Sequence, residues 1–81
     1  MKKLEIVKVM MDNGFKFGGE VSGNVVNEYA KYADAMYYDT YLAFKKDGEL
    51  LFINTYVGGL GRRIIRIFEN GDYKTYATDL I

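Results

Sequence analysis

The sequence predicts an α+β domain in which an antiparallel β-sheet of five to six strands carries one α-helix on one face, in the order ββαββββ. Three observations lead there. Short alternating apolar runs flank turn signals at Asn13-Gly14, Asp47-Gly48 and Asn70-Gly71, the pattern of β-hairpins. A single stretch, VVNEYAKYADAMY, repeats its apolar residues at helical spacing. With 81 residues and no cysteine, the chain predicts one domain over 1–81 whose core comes from apolar burial alone.

LEIVKVMM at 4–11 and FKFGGEV at 15–21 read as a first hairpin. A three-residue loop with Gly14 in the left-handed position aligns Val7, Val9, Met11, Phe15, Phe17 and Val21 on one face. Gly18-Gly19 marks an irregularity in the second strand. This opening ββα order resembles the start of a β-grasp fold. Asn24 is the expected N-cap of the helix, which runs to about Met36 with Val26, Tyr29, Ala30 and Ala33 facing inward.

The next segment, YLAFKKDGELLFINTYV at 41–57, is the expected centre of the sheet. A two-residue turn at Asp47-Gly48 pairs Lys46 with Glu49, Phe44 with Leu51, Leu42 with Ile53, Thr40 with Thr55 and Tyr38 with Val57. The alternative is a single long helix over 24–46 in the order ββαβββ, since the 3.6-residue period continues through Tyr37, Tyr41 and Phe44. Strand-forming residues and the register across the turn favour the hairpin. After the loop Gly58-Gly59-Leu60-Gly61, RRIIRIF and DYKTYAT form the last hairpin. A three-residue loop there puts Ile65, Ile67, Tyr73, Thr75 and Ala77 on one face and Ile64, Arg66, Phe68, Lys74 and Tyr76 on the other.

Composition narrows the chemistry. Histidine and cysteine are both absent, which removes the commonest general base and the nitrogen and sulfur ligands of zinc. No pair of carboxylates has the spacing of an acid/base couple or a calcium loop, so neither an enzyme nor a cofactor is expected. Net charge is zero, without the general basic field on which duplex binding relies. GGLGRR at 58–63 has glycines beside arginines but lacks the lysine, the hydroxyl residue and the helix of a phosphate-binding loop. Glu5 and Lys8 interrupt the N-terminal apolar run, no run reaches the length of a membrane span, and a cytoplasmic location is expected.

The chain has eight tyrosines and five phenylalanines, more than a small core needs. If one helix covers one sheet face, the other carries Tyr37, Tyr41, Phe52 and Tyr56 from the central hairpin and Arg66, Phe68 and Tyr76 from the last one. Leu60 sits at the tip of the glycine loop, with Arg62 and Arg63 beside it. Aromatic residues with arginine are the composition of interface hot spots. The expected function is therefore that of a small protein-binding domain, a stoichiometric inhibitor or accessory protein with an unidentified protein partner or a second copy of itself. In size and in its lack of catalytic side chains the chain resembles the inhibitors and accessory proteins of phages and other mobile elements. The alternative is a single-stranded nucleic-acid binder that stacks bases on the Tyr/Phe set and holds phosphates with Arg62, Arg63 and Arg66; neutral charge ranks it second. The bland reading of the same face is a second small core.

Overall fold

The chain alternates helix and sheet before it settles into strands, and a computed structural model describes residues 2–79. Helix α1 (Lys3–Asp12) is followed by β1 (Lys16–Ser22), α2 (Gly23–Tyr29), β2 (Thr40–Lys46), β3 (Glu49–Gly58), β4 (Gly61–Ile67) and β5 (Tyr73–Thr78). The five strands form one antiparallel sheet in the order β1-β2-β3-β4-β5, every strand beside its sequence neighbour. The α+β class and the antiparallel sheet are as the sequence predicts.

The first element is a helix where a strand is expected, so the chain opens αβα and the likeness to the β-grasp order falls away. The residues that look like a hairpin turn instead close that helix. Gly14 is left-handed (φ 87°), the Phe15 N–H donates to the Met10 carbonyl and the Gly14 N–H to the Met11 carbonyl, both at 3.0 Å. This is the Schellman arrangement. The Asn13 side chain also donates to the Val9 carbonyl at 2.7 Å. At the other end the Glu5 carboxylate accepts from the Lys2 N–H. The β-branched content of Ile6, Val7 and Val9 is overridden because Ile6 and Met10, one turn apart, bury against Leu42, Phe44, Leu51, Ile53 and Ile64.

The central hairpin follows the predicted register from Lys46/Glu49 through Phe44/Leu51 to Leu42/Ile53. Asp47 and Gly48 both have positive φ, 51° and 81°, as a two-residue hairpin turn of this hand requires. These residues are strand, not the continuation of a helix over 24–46. The pairing ends at Tyr41/Asn54, short of the expected Thr40/Thr55 and Tyr38/Val57, because β3 bulges after Ile53 and β2 begins only at Thr40. The expected irregularity in β1 is a register shift between Phe17 and Glu20, with Gly19 at φ 92°. The last hairpin has the expected three-residue loop, closed by the Phe68 N–H on the Asp72 carbonyl at 2.8 Å, and pairs Ile67 with Tyr73 and Ile65 with Thr75.

Helix α2 is two turns long rather than three, and its N-cap is Ser22, whose hydroxyl accepts from the Val25 N–H, not Asn24. After Tyr29 the chain leaves the helix but keeps its small residues inward: Ala30, Ala33 and Ala35 are buried with Val26 over Tyr41, Phe52, Ile65 and Ile67. Both faces of the sheet centre, β2 to β4, are therefore covered, one by α1 and the other by α2 with residues 30–39, while β5 stays exposed on both. The second core, and not an open aromatic face, is what the structure contains.

Candidate interaction surface

That second core redistributes the predicted site residues. Tyr41 and Phe52 are 0% and 2% exposed and belong to the interior, since an extra helix at the N-terminus and a looping segment after α2 cover both faces of the sheet centre. Arg62 is also buried. Strand β3 has four steps between Ile53 and Val57 where β4 has two between Ile64 and Arg62, and the Arg62 guanidinium occupies the resulting bulge. It donates to the Asn54 carbonyl at 2.8 Å and the Thr55 carbonyl at 2.9 Å. Its work is structural: a charge taken out of water stays only with hydrogen bonds of this kind.

The remaining predicted residues fall into two groups. Arg66, Phe68 and Tyr76 do not share the face of Tyr41 and Phe52 as the sequence predicts: Phe52 pairs with Ile65 and Leu51 with Arg66, which puts them on the α1 face; Arg66 is held by both oxygens of Glu49, at 2.7 and 2.9 Å, and its guanidinium stacks 4.7 Å from the Phe68 ring. Tyr37, Tyr56, Leu60 and Arg63 sit at the end of the sheet where β1, β3 and β5 finish and β2 and β4 begin. This end is where the exposed aromatics concentrate.

Residues 30–39 build it. The segment has no regular secondary structure, yet nearly every turn of its backbone is tied down. The Asn27 side chain bridges Ala35 like a strand partner, accepting from its N–H at 2.8 Å and donating to its carbonyl at 3.0 Å. The buried Tyr41 hydroxyl accepts from the Met36 N–H at 3.2 Å. The Gly23 N–H donates to the Asp39 carbonyl at 2.9 Å, and the Asp39 N–H to the Met36 carbonyl at 3.0 Å. Arg63 reaches across from β4 to the Ala33 carbonyl at 2.7 Å. Asp34 takes a left-handed conformation (φ 54°), one that Asp tolerates better than most residues. With Ala30, Ala33 and Ala35 as buried feet, the segment turns Tyr32, Met36, Tyr37 and Tyr38 outward.

Tyr38 is 93% exposed, and its ring meets that of Tyr37 edge-on, with centroids 5.0 Å apart. The neighbouring bulge of β3 continues the surface. Asn54, itself buried, donates to the Asp39 carboxylate at 2.8 Å and accepts from the Tyr56 N–H at 2.8 Å, so the 36–39 turn and Tyr56 are joined through one side chain. Between them is a shallow groove of about 350 Å³, lined by Met36, Asp39, Asn54, Tyr56, Gly58, Gly61 and Arg63. Leu60, 89% exposed, stands on the glycine hairpin at its margin. Gly61 is left-handed (φ 102°), and a Cβ there would lie 2.8 Å from the Thr78 backbone, so the loop lies tightly over the end of β5.

Met36, Tyr38 and Tyr32 join this exposed surface although the sequence pattern does not place them on it. A helix drawn through Met36 points Tyr29 and Met36 inward, whereas both are exposed. The signal that distinguishes the two is Ala30, Ala33 and Ala35: the last of these falls off the helical stripe and marks the change of conformation.

The opposite end of the sheet has a wide concavity lined by Asp47, Glu49, Glu69 and Asp72 with Phe68 and Tyr73. No group of three or more carboxylates is placed to hold a metal ion among the described residues. No helix among them is long and apolar enough to cross a membrane. Comparison of the chain with protein-family models, curated proteins and solved structures yields no match.

Proposed function

We propose that the chain is a protein-binding module that docks through the sheet end formed by Met36, Tyr37, Tyr38, Tyr56 and Leu60, and that it acts stoichiometrically by covering a site on its partner, as an inhibitor or accessory protein would. One observation carries the reading: large apolar side chains stand in solvent on a backbone fixed by side-chain and main-chain hydrogen bonds. Exposed apolar surface is unfavourable unless something covers it. A segment already held in place loses little further conformational entropy on docking, which is the usual advantage of a preorganised binding loop. Tyrosine adds contact area with only two side-chain torsions to order, and a hydroxyl to satisfy at the rim. The groove beside it offers an anchor pocket with Asp39, Asn54 and Arg63 as polar partners.

A nucleic-acid role draws less support from these positions. Of the residues it requires, Tyr41, Phe52 and Arg62 are buried and Arg66 is paired with Glu49. Net charge is zero, and binding to phosphate backbones draws on unpaired cations. The test is capture of partners from a lysate of the native host by the immobilised chain. The expected result is a protein retained by the wild type and by Arg66→Ala but lost with Tyr38→Ala and Tyr56→Ala, each Ala change at a hot spot costing on the order of 2 kcal/mol, about thirtyfold in affinity. Retention of the same proteins by all four would remove the basis of the proposal, and salt-dependent retention of single-stranded RNA instead would favour the nucleic-acid reading.

A further inference from the structure

The sheet has two edges, and they are built differently. At β1 the outer edge is interrupted by the register shift between Phe17 and Glu20, with Gly19 at φ 92°, and α1 lies alongside, tied to it by the Lys3–Glu20 ion pair. A bulged edge of this kind resists pairing with another strand. Strand β5 has none of these protections. It pairs residue for residue with β4 from Tyr73/Ile67 to Thr78/Arg62 without a shift. Its side chains from Tyr73 to Ala77 are exposed on both faces, and the only charge between Tyr73 and Thr78 is Lys74. No strand lies beyond it among the described residues.

We propose that β5 pairs antiparallel with β5 of a second copy of this chain, about a two-fold axis perpendicular to the sheet at Thr75. The sequence is self-complementary in that register. Thr75 meets the partner's Thr75, Tyr73 meets the partner's Ala77, and Lys74 meets the partner's Tyr76. Lys74 already lies 5.8 Å from the centroid of its own Tyr76 ring, so the second ring gives the same cation a second face. Sliding the axis to Lys74 sets two ammonium groups opposite each other, which disfavours that register. Pairing β5 with a neighbour's β1 would meet the bulge and would not close.

The two five-stranded sheets then form one continuous sheet with both α2 layers on the same side. Because the edges run antiparallel, the Gly58–Gly61 loops of the two copies point to opposite ends, which makes the assembly bivalent. This pairing stands independently of the docking surface proposed above. An edge contact over about five residues buries less than a standard interface of roughly 1,200–2,000 Å², so a weak, concentration-dependent dimer is expected.

Sedimentation of the full chain over a dilution series from micromolar to low millimolar tests it. The expected result is reversible dimerisation of the wild type, at least about tenfold weaker dimerisation of Thr75→Lys and of Thr75→Glu alone, because each places like charges across the axis, and recovery in an equimolar mixture of the two. Thr75 is exposed, and far-UV circular dichroism of each variant confirms its fold. A wild type that stays monomeric throughout, or variants that dimerise as the wild type does, would overturn the proposal, as would dimerisation abolished by Tyr38→Ala in place of the Thr75 changes.

Discussion

Gly23→Ala is the sharpest perturbation of the frame that carries the exposed tyrosines. Gly23 opens α2 directly against the 36–39 turn, and a Cβ there would lie 1.9 Å from the Met36 carbonyl oxygen and 2.6 Å from its carbon. These are backbone atoms and cannot rotate away, so the turn must retreat from α2. The Met36 carbonyl also accepts from the Asp39 N–H, and Gly23 donates to the Asp39 carbonyl, so both bonds are loaded by the same movement. Overpacking costs about 1–3 kcal/mol, two weakened hydrogen bonds about 1 kcal/mol each, and alanine in a helix returns at most about 1 kcal/mol. The net expectation is a destabilisation of about 2–4 kcal/mol, a lowering of Tm by at least about 10 °C for a chain of this size. Urea unfolding followed by far-UV circular dichroism measures it, with Gly59→Ala as the control, since nothing lies within 4 Å of a Cβ at Gly59 and its φ is not positive. A Gly23→Ala protein within about 0.5 kcal/mol of wild type would refute the close packing of the 36–39 turn on α2.

Other outcomes follow from the same contacts. Tyr41→Phe keeps the buried ring but removes the acceptor of the Met36 N–H; it should cost about 1 kcal/mol and speed hydrogen exchange at Met36 selectively. Asn27→Ala deletes both bonds to Ala35 and should cost about 1–3 kcal/mol by urea titration. Arg62→Ala strips the β3 bulge of its buried cation, and a loss of about 2–4 kcal/mol is expected. Arg66→Ala breaks an ion pair whose arginine is half exposed; its stability should change by less than about 1 kcal/mol.

What the sequence makes legible is the sheet. Asp47-Gly48 and Asn70-Gly71 fix turn chemistry, and alternation on either side fixes register, because a slip of one residue would exchange the two faces. What it conceals is the layer on each side of that sheet. Asn13-Gly14 ends a helix with the same left-handed glycine that a bulged hairpin loop would use, and the exposed Val9 masks a face that Ile6 and Met10 define with Val7 at its margin. Tyr41 looks like spare surface because its neighbours Asp39 and Lys45 are polar. It is interior because the segment over it is irregular, held by the side-chain bonds of Asn27, Arg63 and Tyr41 itself, at separations of 8, 30 and 5 residues that no helical or strand period announces. Of the predicted residues, Tyr37 in the irregular segment, Tyr56 in the β3 bulge and Leu60 on the glycine loop are exposed, whereas Tyr41 and Phe52, which needed an uncovered face, are buried.

The most direct test of the docking surface is a hydrogen-exchange footprint of the chain with and without the partner it captures. Added protection is expected at residues 36–39 and 56–60 alone, with α1 unchanged. Protection that falls on α1 or on the Asp47 and Asn70 turns, leaving 36–39 and 56–60 to exchange as in the free chain, would contradict the proposed docking surface.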